Sequence, residues 1–163
     1  MKTAPPRYDA PFIARLLLPR AVAEVFAIQD RALAGIGLTA RQTLILLSCD
    51  LGEAGTLAEL AELYGLEPSS ITRLVDRLEK KRLMERKRSR EDRRKTILSL
   101  TPRGKAALES AVRIAAPIAI ATWQGVTEKE RKTLIAVIQK VLDNVKKMGP
   151  IHKFRREIQA RRF

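Results

Sequence analysis

"TLAELAELYGLEPSSITRLVDRLEKK", Thr56 to Lys81, decides the fold. Leu57, Leu60, Ala61 and Tyr64 recur at i, i+3, i+4 and i+7, the stripe of a short amphipathic helix. Ile71, Leu74, Val75 and Leu78 make a second stripe. Between them Gly65-Leu66 predicts a tight turn, and Pro68 opens the next helix at its first position, where a missing N–H costs nothing. Ala61, Gly65 and Ile71 stand four and then six residues apart, a spacing that suits a helix-turn-helix. The small Ala lets the second helix pack closely, Gly takes the left-handed conformation at the turn, and Ile plugs the shared core.

With that stripe turned inward, the second helix presents Ser69, Ser70, Thr72, Arg73, Asp76 and Arg77 outward. Short hydroxyls near a helix N-terminus suit phosphates or base edges, and Arg73, one turn deeper, suits a bidentate contact to guanine O6/N7. An ordinary amphipathic surface helix has the same spacing, so the segment that follows carries weight. In "RSREDRRKTILSLTPRG", Arg88 to Gly104, a charged patch gives way to the alternating Thr96-Ile97-Leu98-Ser99-Leu100. This predicts a hairpin of roughly 83–87 and 94–100. An arginine at a narrow ribbon tip suits the negative potential of a minor groove. Asp92, beside Arg93 and Arg94, reads as an internal clamp that holds an arginine in one rotamer.

The totals agree with a binder. The chain has 163 residues, 45% of them hydrophobic, which suits one folded domain. Against 18 acidic residues stand 32 basic ones, a formal net charge of +14. A folded domain that basic faces a polyanion, either nucleic acid or an acidic membrane surface, with crowded cationic assemblies as the bland alternative. No apolar run approaches the ~18 residues needed to span a bilayer. The start "MKTAPPRYDAPF" lacks a secretory h-region, so the cytoplasm is the expected compartment and no membrane partner is expected. One cysteine (Cys49) and one histidine (His152), far apart, give no metal site. There is no glycine-rich phosphate loop and no nucleophile elbow. No catalytic residue, enzyme activity or cofactor is expected.

Thr39-Ala-Arg-Gln42, Thr56-Leu-Ala-Glu59 and Thr127-Glu-Lys-Glu130 each match the capping box, and Thr101-Pro102 caps a further helix. Before the first box runs a helix of roughly 11–33, apolar at Ile13, Leu16, Leu17, Val22, Val25 and Phe26, with Pro19 expected to kink or split it. Thr39 starts a second helix through Leu44, Leu47 and Leu51, and Pro117 is expected to kink the fifth. The sixth carries Leu134, Ile138, Val141 and Val145 on one face. The expected architecture is mainly α with a small β-wing: a winged helix-turn-helix of six helices. It divides into an N-terminal helix (1–36), a DNA-binding lobe (37–101), C-terminal helices (102–148) and a basic tail (149–163).

The stretches "ELAELYGLEPSSITRLVDRLEKKRLMER" and "EDRRKTILSLT" resemble the MarR family of winged-helix transcription regulators, the latter through its Asp-x-Arg wing motif. The resemblance implies that Ser69, Ser70, Thr72, Arg73 and Arg77 face the major groove. It implies Arg94 in the minor groove, Asp92 holding it, and Arg90 or Arg93 on phosphates. It also implies an intertwined homodimer built on the first, fifth and sixth helices, a pseudo-palindromic double-stranded DNA operator, and a cleft for a small effector, with aromatic acids as the family's class. Where the family has Gly before the first wing strand this chain has Arg82, so the recognition helix is expected to close without a left-handed glycine cap.

Lesser candidates divide between packing and function. Arg15 or Arg20 could bind an effector carboxylate, and Phe26, Tyr64 or Trp123 could line its cleft. Solvated surface and ordinary helix packing are the alternatives. Cys49 reads as buried filler, because Asp50 opposes the cationic setting that activates a thiol. The tail, with Lys153, Arg155, Arg156, Arg161 and Arg162, either docks on a partner subunit, extends phosphate contact, or frays. Three functions remain open: a sequence-specific regulator, most often a repressor; an architectural, non-specific basic DNA-binding protein without an effector; and a winged helix reused for protein or RNA.

Overall fold

The computed structural model describes residues 10–88 and 96–148. Among them run α1 (Ala10–Leu33), α2 (Ala40–Asp50), α3 (Leu57–Tyr64), α4 (Pro68–Lys80), β1 (Met84–Arg88), β2 (Thr96–Leu100), α5 (Pro102–Thr122) and α6 (Glu128–Met148). The expected mainly α chain with a two-stranded wing is what forms. Contacts divide it into two compact units, Met1–Thr122 and Trp123–Phe163. Pro19 and Pro117 lie within α1 and α5, neither of which is split. A proline removes one intrahelical hydrogen bond without ending a helix whose flanking turns continue.

The capping boxes form with one exception. The Thr39 hydroxyl accepts from Gln42 N–H at 3.2 Å while Gln42 Oε1 accepts from Thr39 N–H at 3.3 Å. At α6, Glu130 Oε2 accepts from Thr127 N–H at 2.8 Å, and Glu130 N–H donates to Thr127 Oγ1 at 3.3 Å. The Thr127 donors hold the Glu130 carboxyl below the usual range. At α3 the box is half made. Thr56 Oγ1 accepts from Glu59 N–H, but the Glu59 carboxylate turns to Gly55 N–H at 2.7 Å. That contact helps shape the 54–56 strap, whose Gly55 carbonyl accepts from Leu98 N–H of β2 at 2.7 Å.

In the first unit α2 lies at the centre, touching α1, α4, α5 and β2. Its burial therefore follows no single stripe: Ile45 and Leu46 are buried, Leu44 and Leu47 half-buried, and Leu51 is exposed. A helix covered from several sides buries residues around its circumference, including Gln42, Thr43 and Ser48. Ser48 shares a 2.5 Å hydrogen bond with the Tyr64 hydroxyl, which also donates to the Leu44 carbonyl at 3.1 Å. Burial pushes the Tyr64 hydroxyl's pKa up. Among the described residues no buried side-chain nitrogen or oxygen lacks a partner, as the cost of an unpaired buried polar group requires.

The end of α4 closes without a glycine, as expected, yet the turn it makes is left-handed. Lys80 ends α4, Lys81 is its C-cap, and Arg82 follows with φ +57°, in the left-handed region. Arg82 N–H donates to the Glu79 carbonyl at 2.7 Å and Leu83 N–H to the Leu78 carbonyl at 2.9 Å. This is the Schellman pairing, with buried Leu78 and Leu83 making its apolar contact. The helix closes in a left-handed turn after all, with arginine in place of glycine. Tertiary contacts hold it there: the Arg82 carbonyl accepts from Thr101 Oγ1 at 2.7 Å, and the Leu83 carbonyl accepts from Thr101 N–H at 3.1 Å.

Thr101 Oγ1 in turn accepts from Gly104 N–H at 3.0 Å, capping α5 as expected. Gly104 is buried, and a Cβ there would fall 1.9 Å from the Leu83 carbonyl oxygen. Gly104→Ala is therefore expected to destabilise the fold by about 3 kcal/mol or more, read as a lowered urea midpoint, because the obstacle is backbone and cannot swing aside. Arg82→Gly is expected to move the midpoint the other way, by about 0.5–1 kcal/mol, since glycine relieves the left-handed strain at some cost in unfolded-chain entropy. Cys49 packs half-buried against the core, and burial, with Glu59 second, raises its pKa to about 11. Iodoacetamide at neutral pH should alkylate it about a hundredfold more slowly than an unhindered thiol; equal rates would show the thiolate to be accessible.

Candidate nucleic-acid interface

Helix α4 owes its position to the turn before it. Gly65 takes φ +59°, and Leu66 N–H donates to the Ala61 carbonyl at 3.1 Å, reversing the chain at the end of α3. Pro68 then starts α4 at its first position, with Glu67 supplying no side-chain cap. Ile71, Val75 and Leu78 are fully buried and Leu74 half-buried, so the inward stripe is the one expected. The opposite face is left to solvent. Ser69, Ser70, Arg73 and Arg77 are exposed there, and Thr72 is half-buried. Thr72 Oγ1 donates to the Pro68 carbonyl at 2.9 Å, so with its proton engaged the hydroxyl can serve an outside group only as an acceptor. Arg73 and Arg77, one turn apart, have no ion-pair partner among the described residues.

The ribbon pairs antiparallel, Met84 with Leu100, Glu85 with Ser99, Arg86 with Leu98, Lys87 with Ile97 and Arg88 with Thr96. β1 starts and stops one residue later than expected and β2 stops at the expected Leu100, while positions 94 and 95 lie outside the described residues. Directly opposed residues share a face, so Met84, Arg86, Leu98 and Leu100 lie on one side, with Met84 and Leu98 buried. The wing-tip candidates Arg90, Asp92, Arg93 and Arg94 lie outside the described residues, as does the tail from 149 onward with His152.

Sequence reasoning missed Arg86. Its guanidinium donates to Asp76 Oδ1 at 2.7 Å through Nη2 and to Glu79 Oε2 through Nη1. Asp76, read from sequence as part of the outward face, instead joins the recognition helix to the wing. Two acidic residues at i and i+3 beside a strand with arginine on its buried face were the available signal. On the other face Glu85 holds Lys87 at 2.6 Å. At the far end of α4, Lys81 Nζ donates to the Gly37 carbonyl and, at 3.1 Å, to Gln42 Oε1, tying α4 to the start of α2.

A cavity of about 240 Å³ opens behind the recognition helix. Val22 and Phe26 of α1, Arg41, Leu44 and Ile45 of α2, Tyr64, Leu66, and Ile71 and Leu74 of α4 line it. Of the proposed effector residues, Phe26 and Tyr64 are here, whereas the exposed Arg15 and Arg20 are not among the lining residues. Trp123 belongs to the second unit and is 41% exposed. The cation in the lining is Arg41, its guanidinium carbon 6.0 Å from the centre of the Phe26 ring. In the sequence Arg41 shows only as an interior residue of the Thr39–Gln42 capping box. No group of three or more metal-ligating side chains occurs among the described residues, and no single described helix is long and apolar enough to cross a membrane.

Known proteins share this arrangement. Residues 38–96 match the MarR family model. The HTH-type transcriptional repressor MdtR of Bacillus subtilis is 38% identical over 68 residues, 42% of this chain and 44% of that protein. The chain spans between 44% and 62% of the length of the curated relatives it matches. A mutant MarR from E. coli, solved in complex with operator DNA, superposes with a TM-score of 0.71 over 83% of this chain and 99% of that one, at 24% identity. Bordetella bronchiseptica BpsR gives 0.71 at 26% identity, over 85% and 99% respectively; its structure concerns regulation of DNA binding by 6-hydroxynicotinic acid. The turn at Gly65, the exposed face of α4, the ribbon that follows it and these matches lead to one conclusion: residues 38–96 match the MarR family model, and the fold is that of the MarR-type winged helix-turn-helix structures it resembles.

Proposed function

We propose that this protein is a homodimeric, sequence-specific transcription regulator of double-stranded DNA, a repressor released by a small effector, working in the cytoplasm and not as an enzyme. The observation that carries the reading is α4: one face packed into the core through Ile71, Val75 and Leu78, the other offering Ser69, Ser70, Thr72, Arg73 and Arg77 with both arginines unpaired among the described residues. Arg73 reads a guanine in the major groove, and the first-turn hydroxyls and amides hold phosphates. The wing residues Arg90, Arg93 and Arg94, with Asp92 as clamp, are assigned to the flanking minor groove on the resemblance alone.

The dimer rests on unpartnered apolar surface. Helix α6 buries none of its residues, leaving Ile135, Ile138, Val141, Leu142 and Val145 exposed, and on α1 Leu16, Leu17, Leu18 and Val22 are exposed too. A monomer in water does not keep so much aliphatic surface without a partner. In this scheme 1–36 and 102–148 build the dimer, 37–101 the DNA-binding lobe, and two-fold symmetry sets half-site centres about one helical turn (~10 bp) apart.

Effector control rests on the cavity behind α4. It is apolar with Arg41 as a cation, which suits a small aromatic carboxylate, and two of its walls are residues of the recognition helix. A ligand there acts by favouring a different α4 position, and only to the extent that it binds that state better. Arg41 replaces Arg15 and Arg20 as the carboxylate partner in this reading. The architectural alternative binds DNA through charge alone and keeps no specificity ratio.

Light scattering should return twice the 18.3 kDa chain mass, and Val141→Asp with Val145→Asp should return the monomer. Salt titration on operator and scrambled duplexes should give a specificity ratio of about 10³ or more. Arg73→Ala should lower operator affinity by about 1–3 kcal/mol while relaxing base preference at one position. Equal weakening on every sequence would reduce Arg73 to a phosphate ligand and favour the architectural reading. A thermal-shift screen with benzoic and phenolic acids should raise the melting temperature of the native chain and not of Arg41→Ala.

A further inference from the structure

We infer that Arg86 is a positioning residue for Arg73: by sequestering the Asp76 carboxylate it keeps the reading arginine free for the groove. The inference rests on the DNA-binding reading above and adds a residue to it. On α4, Asp76 lies three residues after Arg73 and four before Lys80, both distances at which helix side chains of opposite charge pair. Yet Asp76 pairs with neither among the described residues. Its Oδ1 is taken by Arg86 Nη2 at 2.7 Å, and the same guanidinium holds Glu79 with its other terminal nitrogen.

The ribbon imposes this choice. Arg86 stands opposite Leu98 on the strand face that carries Met84 and Leu98 into the core, so its side chain leaves the ribbon toward α4. There the planar guanidinium spans two carboxylates a helical turn apart, a geometry that an ammonium point charge does not reproduce. Its side chain is 30% exposed, against 45% for Asp76. Asp76 is exposed enough to swing to another cation if Arg86 is lost, and Arg73 lies within reach. Glu79 cannot reach Arg73, which lies six residues away; three and four residues toward its N-terminus it meets Asp76 and Val75. The carboxylate that matters is Asp76.

The test is a double-mutant cycle on operator DNA. Arg86→Gln should weaken binding about tenfold and flatten the preference for the base read by Arg73, because the freed Asp76 captures that guanidinium. Asp76→Asn alone should bind within about twofold of the native chain, and Asp76→Asn with Arg86→Gln should recover to the same range. Arg86→Lys, which holds one carboxylate at a time, should fall between. Three outcomes would overturn the inference: an unaffected Arg86→Gln; a loss the double variant does not recover; or a loss accompanied by a salt slope lower by about one, which would make Arg86 a phosphate ligand. Melting temperatures of all variants separate a folding defect from a binding one. Arginine side-chain ¹⁵Nε spectra of the free protein give a readout without DNA: the Arg73 signal should shift in Arg86→Gln and return in the double variant. If the native chain shows no sequence preference for DNA, the proposed function fails; an Arg73 signal that does not respond defeats the positioning role by itself.

Discussion

One close approach organises the winged lobe: the α5 backbone at Gly104 lies against the Leu83 carbonyl, where no side chain fits. Both ends of the ribbon meet at this point. Leu83, just before β1, accepts from Thr101 N–H just after β2, and Thr101 Oγ1 joins Arg82 O to Gly104 N–H. The end of the recognition helix, the root of the wing and the start of α5 are thereby fixed to one another through backbone atoms. A left-handed arginine is tolerated at Arg82 because its carbonyl and N–H are both held in that geometry.

The second constraint is electrostatic. A domain of formal charge +14 still uses its carboxylates where they order something. Asp76 and Glu79 engage Arg86, Glu59 meets Gly55 N–H, and Asp30 accepts from Ala40 N–H at 2.6 Å, binding α1 to the first turn of α2. Such half-exposed pairs contribute modestly to stability. Their larger effect is to decide which cations are occupied; on the outward face of α4, Arg73 and Arg77 have no ion-pair partner among the described residues.

The cavity behind α4 links the two halves of the proposed function. Ile71 and Leu74 belong both to its wall and to the stripe that orients Arg73. In the proposed function, anything that fills it acts on α4 directly, through packed side chains and without a long relay. Arg41 lies over Phe26 at the same wall and is exposed, which leaves it available to an anion.

Much of this was legible in the residue order. Turn chemistry at Gly65 and Pro68, the stripe of α4, the Thr caps and the alternation of 96–100 are local effects, each settled by neighbours within one helical turn or one strand. Four things depended on residues far apart in the chain. Leu51 faces solvent while Gln42 and Ser48 are buried, because α2 is covered from several sides. Arg82 adopts the left-handed turn because Thr101, nineteen residues on, holds its carbonyl. Arg86 finds Asp76 and Glu79 only once the ribbon folds back on α4, and Arg41 meets Phe26 only once α1 packs on α2. Sequence by itself determined which segments are helix, turn and strand, since backbone preference and apolar period act locally. Which charges are spent on one another and which stay open to a ligand was decided by tertiary structure, because Coulomb attraction and hydrogen bonding depend on distance in space and not along the chain.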